Sequence, residues 1–272
     1  MEVTVAQWQP EAGQLSINRD RARQTIDEAA DTGADLVVLP ELFTVGYFAF
    51  DEWADTAEAF DGATLEMART AATEHDIAVL AGSFVEDLSQ TESVPVPADS
   101  GLANTSVLVD RDGSVEAWYR KGHLFGYGSR EQELMVPGET LGVGTIGEHT
   151  VGLVTCYDLR FPELHRQYVD EGVTLMLVPS AWPKPRGEHW TLLCRVRAME
   201  NQWYLAAANG CGSVASTELL GGSCIVDPWG EIQVSLEEDD GIATAEATLA
   251  TVKEIREEFP VLADRRPPFT RS

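Results

Sequence analysis

Apolar runs of four to seven residues alternate with amphipathic stretches along most of the chain. Val3-Thr4-Val5-Ala6-Gln7 reads as a strand, and Asn18 to Ala30 carries apolar positions at helical spacing up to a stop near Gly33. Asp35-Leu36-Val37-Val38-Leu39-Pro40 predicts a short buried strand halted by proline. A helix over Ala63 to Glu74 leads to a strand over Ile77 to Val85. Gln90 to Gly101, with Pro95, Pro97 and Ser100, predicts a surface loop. Thr105 to Asp110 and Val115 to Tyr119 flank Arg111-Asp112-Gly113-Ser114, a hairpin signal. Lys121 to Glu139 is glycine-rich and irregular, and Val151 to Thr155 is a strand that ends at Cys156. A helix over Phe161 to Glu171 has Pro162 in its first turn. Val173 to Pro179 predicts strand, Gly187 to Asn201 helix, and Trp203 to Asn209 strand again. Gly222 to Asp227 and Gly241 to Thr248 close the pattern before a polar tail over about 251–272. Alternation of this kind predicts a layered α/β architecture, and the absence of repeats or a composition break predicts one domain over 1–272.

Composition changes the picture at the surface. The 272 residues hold 45 acidic against 19 basic side chains, a formal charge of −26. Such a surface repels phosphates and argues against nucleic acid or anionic membranes as partners. Lysine occurs only at Lys121, Lys184 and Lys253. Acid excess with so little lysine predicts a halophilic protein of a salt-rich cytoplasm, where ions screen the self-repulsion. No run approaches the roughly 18 apolar residues of a membrane span. The N-terminus lacks the basic and apolar regions of a secretory leader. Cys156, Cys194, Cys211 and Cys224 form no C-x-x-C pair, so four reduced thiols and no metal site are expected.

Three apolar strands run into chemically loaded residues: Pro40-Glu41, Arg120-Lys121-Gly122-His123 and Thr155-Cys156-Tyr157-Asp158. Side chains just beyond strand ends are the usual place for α/β active sites. A thiol, a carboxylate and an ammonium there fit nucleophilic catalysis, with Cys156 attacking, Glu41 as base and Lys121 beside the developing oxyanion. Each has a plainer reading: Cys156 as a small buried hydrophobe, Glu41 as an exposed carboxylate or helix cap, Lys121 as a chance survivor. Cys194, Cys211 and Cys224 read as packing residues. Gly142-Val-Gly-Thr-Ile-Gly147 is a G-x-G-x-x-G string, but it leads into a strand where a dinucleotide site needs a helix. No histidine pair has metal-ligand spacing; His165 or His189 as a papain-like partner of Cys156 is a lesser alternative.

The Glu41, Lys121 and Cys156 segments together resemble the nitrilase superfamily of carbon–nitrogen hydrolases. The resemblance rests on Pro40-Glu41-Leu-Phe with Gly46-Tyr47, on Arg120-Lys121-Gly-His-Leu-Phe125, and on Cys156-Tyr-Asp-Leu-Arg-Phe-Pro-Glu163, in that order. Trp182-Pro-Lys-Pro-Arg-Gly-Glu-His-Trp190 and Arg197-Ala-Met-Glu-Asn-Gln-Trp-Tyr204 are similar to its ω-amidase branch, while Asn209-Gly-Cys-Gly212 lacks an arginine that many members carry there. The similarity spans about residues 2–250. It implies an α-β-β-α sandwich, a homodimer paired through helices, and no metal or organic cofactor. It also implies a second glutamate, Glu131, and a place near the substrate for Tyr47. The reaction implied is cleavage of a small-molecule amide, with Lys121 and the Tyr157 N–H holding the oxyanion. Arg160 would then grip a substrate carboxylate or pair with Glu163, and Trp182 would line the substrate pocket or pack in the core. N-carbamoyl compounds or nitriles as substrates, and a catalytically silent module, are the competing expectations.

Overall fold

Residues 36–39 and 77–80 are apolar on both faces, as strands covered on two sides must be, and 3–5 breaks this only at buried Thr4. In a computed structural model, which describes residues 1–266, they lie at the centre of a seven-stranded sheet. Its order is Gly241–Glu246, Glu2–Gln7, Leu36–Val38, Ala78–Leu80, Leu102–Val109, Phe84–Asp87, with Val115–Arg120 also paired to Leu102–Val109. The second sheet runs Ile232–Ser235, Cys224–Val226, Tyr204–Asn209, Leu175–Ser180, His149–Leu153, Gly142–Ile146. Alternate side chains explain the layering. Val3, Val5, Leu36 and Val38 meet Leu153, Leu175, Leu177 and Ala206 between the sheets. Ala6, Val37 and Leu39 face the other way, against Ala22, Ile26, Ala68 and Ala72 of the helices Leu15–Asp31 and Ala63–His75. On the far side Met176, Val178 and Leu205 pack on Tyr168, Cys194 and Ala198 of the helices Pro162–Asp170 and Gly187–Asn201. This is the four-layer α-β-β-α sandwich expected.

Two local expectations need correction, and two strands were not anticipated. Ile77 to Val85 is two strands: Val79 pairs with Val109, Phe84 with Thr105, and the register slips by one residue between them. Gly82 makes the break, with φ of +35° and no room for a Cβ, which would lie 2.0 Å from the Pro40 carbonyl. The break is useful, because the Ser83 hydroxyl accepts from the Leu42 N–H at 2.9 Å and so braces the Glu41 loop. Gly142–Ile146 is a strand, hairpinned to His149–Leu153, where its glycines let the backbone approach Trp118 and Glu116. Ile232–Ser235, unanticipated because its side chains are mostly exposed, pairs with Cys224–Val226. The expected tail begins as a helix, Leu249–Glu258, capped by the Thr248 hydroxyl and anchored by Val252 and Ile255; its last residues, 267–272, lie outside those described.

The loop from 90 to 101 is tied down by an internal ion pair. Arg120 donates to both oxygens of fully buried Glu86, at 2.7 and 2.8 Å, and to the Pro95 carbonyl at 2.7 Å. Thr91 and Thr105 hydroxyls complete the carboxylate's shell. Removing one partner of a buried pair strands the other charge. Arg120→Met is therefore expected to cost about 3–5 kcal/mol in chemical denaturation, and a loss near zero would contradict a stabilising role for this ion pair.

Candidate active site

Three strand ends converge where the two sheets meet. Glu41 follows Leu36–Val38, Lys121 follows Val115–Arg120, and Cys156 opens the short turn Cys156–Arg160 after His149–Leu153. Cys156 sits at φ +48° and Leu42, next to Glu41, at φ +44°, left-handed values that non-glycine residues hold only when their surroundings fix them. Asp158 supplies much of that fixing. Its carboxylate accepts from the Thr155 N–H (2.9 Å), Tyr119 hydroxyl (2.9 Å) and His123 N–H (3.1 Å), and His123 Nδ1 lies 2.8 Å away. The turn that carries the thiol is thus bonded to the strand that carries the ammonium.

Lys121 is completely enclosed. Its Nζ lies 2.9 Å from Glu41 Oε1 and 3.0 and 2.9 Å from the two Glu131 oxygens. Asn104 Nδ2 repeats the pattern, donating to Glu41 Oε1 at 2.9 Å and Glu131 Oε1 at 3.0 Å. Glu41 Oε2 accepts from the Ala181 N–H at 2.8 Å, and the Cys156 thiol lies beside Glu41. Glu131 also accepts from the Phe125 N–H (2.6 Å) and the Tyr47 hydroxyl (3.1 Å). The structure therefore brings Glu41, Lys121 and Glu131 into one hydrogen-bonded cluster, with the Cys156 thiol beside Glu41 and Tyr47 on the edge.

Burial sets the protonation states. Desolvation raises the Glu41 pKa, Lys121 opposes that rise and Glu131 adds to it. For Lys121 desolvation favours the neutral amine, but Glu131 and Glu41 outweigh it and hold the ammonium charged, well above its ordinary range. Burial and then the Glu41 charge push the Cys156 thiol up, and burial keeps the Tyr47 phenol protonated. The resting site is thus a neutral thiol facing a carboxylate of raised basicity. A histidine plays no such part: burial and the nearby Arg197 charge hold His165 down to about 3, and it faces the Asp158 carbonyl. His189 Nδ1 lies 3.3 Å from Arg160 Nη2.

The pocket over the thiol is lined by Tyr47, Phe125, Tyr157, Arg160, Trp182 and Arg186. Tyr157 and Trp182 both line it, with the Arg160 guanidinium 4.8 Å from the Trp182 ring and 5.9 Å from that of Tyr157. Trp182 donates through Nε1 to the Arg186 carbonyl and through its backbone N–H to Asn209 Oδ1. Arg160 makes no ion pair with Glu163 or any other acid among the described residues. Asn104, Asp158 and Arg186 were missed as site residues. For Asn104 a signal existed, since an amide inside a buried strand needs partners that water cannot supply. Among the described residues no three His, Cys, Asp or Glu side chains gather as metal ligands, and no helix is long and apolar enough to cross a membrane.

A thiol at a strained turn, facing a carboxylate and a buried ammonium, is the equipment of a hydrolase that works through cysteine. The carbon-nitrogen hydrolase model matches residues 2–257, and the chain belongs to that family. It is 36% identical over 270 residues to the 2-oxoglutaramate amidase of Paenarthrobacter nicotinovorans, covering 97% of this chain and 90% of that protein. A CN-hydrolase superfamily protein from Xanthomonas campestris, crystallised with an arsenic adduct in its active site, superposes with a TM-score of 0.87 at 27% identity, covering 99% of this chain and 98% of the other. A mutant amidase from Nesterenkonia sp. AN1, with acrylamide added to its active-site cysteine, gives 0.80 at 28% identity and covers 96% and 98%.

Proposed function

We propose that the protein is an ω-amidase, a thiol amidohydrolase that converts the terminal carboxamide of a small carboxylic or 2-oxo acid to the acid and ammonia. The observation that carries this reading is the Cys156 thiol beside Glu41 in a pocket lined by an arginine, Arg160, that has no acid partner among the described residues. The name of the Paenarthrobacter relative supports it.

Roles follow from position. Glu41 takes the thiol proton as Cys156 Sγ attacks the amide carbon. The oxyanion forms beside Lys121, whose two contacts with Glu131 at 3.0 and 2.9 Å fit a single forked N–H. With a second N–H on Glu41, a third remains for the oxyanion, joined by the Tyr157 backbone N–H. Glu41 then gives its proton to the departing nitrogen, ammonia leaves and a thioester remains. Water, deprotonated by Glu41, attacks the thioester; the acid is released and the proton returns to Cys156. Glu131 and Asn104 hold Lys121 and Glu41 in register, and Arg160 binds the substrate carboxylate as a charge-assisted pair.

Because Glu41 must be ionised to act, kcat/KM falls as pH drops through its raised pKa. The acid limb of the pH–rate profile is expected above the ordinary carboxylate range, as an apparent value of the coupled Glu41–Lys121–Glu131 cluster. A limb near pH 4 would mean a solvated base.

The surface supports further parts of the proposal. Exposed Leu192 and Met199 on the helix Gly187–Asn201, with Trp229 stacked on Phe259 nearby, form an apolar face suited to a homodimer. The charge of −26 suits a cytoplasm of high salt. The functional test is ammonia release in molar KCl from a panel of amides that includes 2-oxoglutaramate. Release from an ω-amide is expected; release only from N-carbamoyl compounds or nitriles would overturn the reading.

A further inference from the structure

Arg186 ends the three-residue turn Lys184–Arg186 that precedes the helix Gly187–Asn201. Its carbonyl is pinned by the Trp182 indole at 2.8 Å, so its backbone is fixed to the wall of the thiol pocket. Its guanidinium lies over the rings of Phe125 (5.3 Å) and Tyr127 (5.9 Å), while that of Arg160 lies over Trp182 and Tyr157. Both arginines line the pocket that holds Cys156. They are close enough to repel: the Arg160 pKa is lowered first by burial and further by the positive charge of Arg186. Yet among the described residues neither has a carboxylate partner, in a chain with 45 acidic side chains to choose from. Two neighbouring cations without an acid, one stacked on each aromatic wall, leave a gap whose charge a bound anion neutralises.

We infer that Arg186 and Arg160 form a two-guanidinium clamp for the carboxylate of an anionic amide, with Arg186 the residue that sets the preference for charged over neutral amides. The inference rests on the ω-amide reading and adds a specificity residue to it. The aromatic rings orient the two planar forks, and Cys156 at the pocket base meets the amide at the other end of the molecule. A neutral amide of equal length reaches the thiol without using Arg186.

The test is Arg186→Gln in the full chain, assayed on 2-oxoglutaramate and on valeramide, an uncharged amide of the same carbon count. Loss of one charge-assisted contact is expected to raise KM for 2-oxoglutaramate roughly ten- to a hundredfold with kcat unchanged. Values for valeramide stay the same, and Arg186→Lys recovers part of the loss. An equal KM change for both amides, or none for either, overturns the clamp. A readout independent of turnover separates the clamp from the ω-amide reading: protection of Cys156 by glutarate against alkylation by iodoacetamide. Glutarate is expected to slow labelling of the native protein and to protect Arg186→Gln much less, with equal labelling rates in its absence. If the native protein cleaves no carboxylate-bearing amide but glutarate protection depends on Arg186, the clamp stands and the ω-amide reading fails. Protection that is absent, or unchanged in Arg186→Gln, overturns the clamp itself.

Discussion

Cys156→Ala is expected to lower kcat/KM on the cleaved amide by about 10⁵-fold or more, the scale seen when a covalent nucleophile is removed. No other thiol can replace it. Cys194, Cys211 and Cys224 are buried and none lines the pocket, and Cys211 is hydrogen-bonded to Asp240 at 3.1 Å. The substitution leaves Glu41, Lys121, Glu131 and Asn104 bonded to one another, because none of their mutual hydrogen bonds runs through the thiol. Alanine also accepts the φ of +48° no worse than cysteine, since both carry a Cβ. The thermal midpoint is therefore expected to stay close to that of the native protein while ammonia release disappears. Residual activity above about one part in a thousand would assign the attack to another group.

Lys121→Met should damage both activity and stability, for one physical reason. The ammonium is the single positive charge inside a pair of fully buried carboxylates. Its removal leaves Glu41 and Glu131 bridged only by the Asn104 amide. Breaking a buried ion pair by deleting one partner costs about 3–5 kcal/mol. Two carboxylates facing each other without a cation drive one of them to take a proton. The deficit should consequently shrink as pH falls, since protonation relieves the repulsion, and widen as pH rises. Activity should fall about 10³-fold or more through loss of the oxyanion donor, and further because a protonated Glu41 cannot act as base. Denaturation at several pH values, set beside the rates, checks both parts. A stability loss independent of pH would contradict the electrostatic account and point to lost packing of the lysine stem.

The legible parts of the fold were those where burial on two sides forces continuous apolar runs. Leu36–Leu39 and Leu175–Val178 are of this kind, and each sits near the centre of a sheet. Ile232–Ser235 is an edge strand, mostly exposed, so its residues carry no such pattern. Gly82 was invisible as a break because the strands on either side are both apolar; what demands it is the Pro40 carbonyl, 42 residues earlier in the chain. The Leu249–Glu258 helix hides only Val252 and Ile255, too few for a clear helical period in a polar segment. Within the site, Glu41, Lys121 and Cys156 were readable because chemistry follows strand ends, and the family resemblance added Glu131. Asn104 lies in mid-strand, Asp158 acts through four contacts behind the thiol, and Arg186 lines the pocket with its carbonyl held by the Trp182 indole. Such roles come from contacts distant in sequence, and spacing alone does not carry them.

The account turns on a thioester at Cys156, and mass analysis of the enzyme quenched during turnover tests it most directly. With 2-oxoglutaramate present, the peptide that contains Cys156 is predicted to gain the mass of the substrate less ammonia. The adduct should disappear on treatment with hydroxylamine and never form in Cys156→Ala. Ammonia release without any adduct under these conditions, or an adduct on a different residue, would contradict the mechanism.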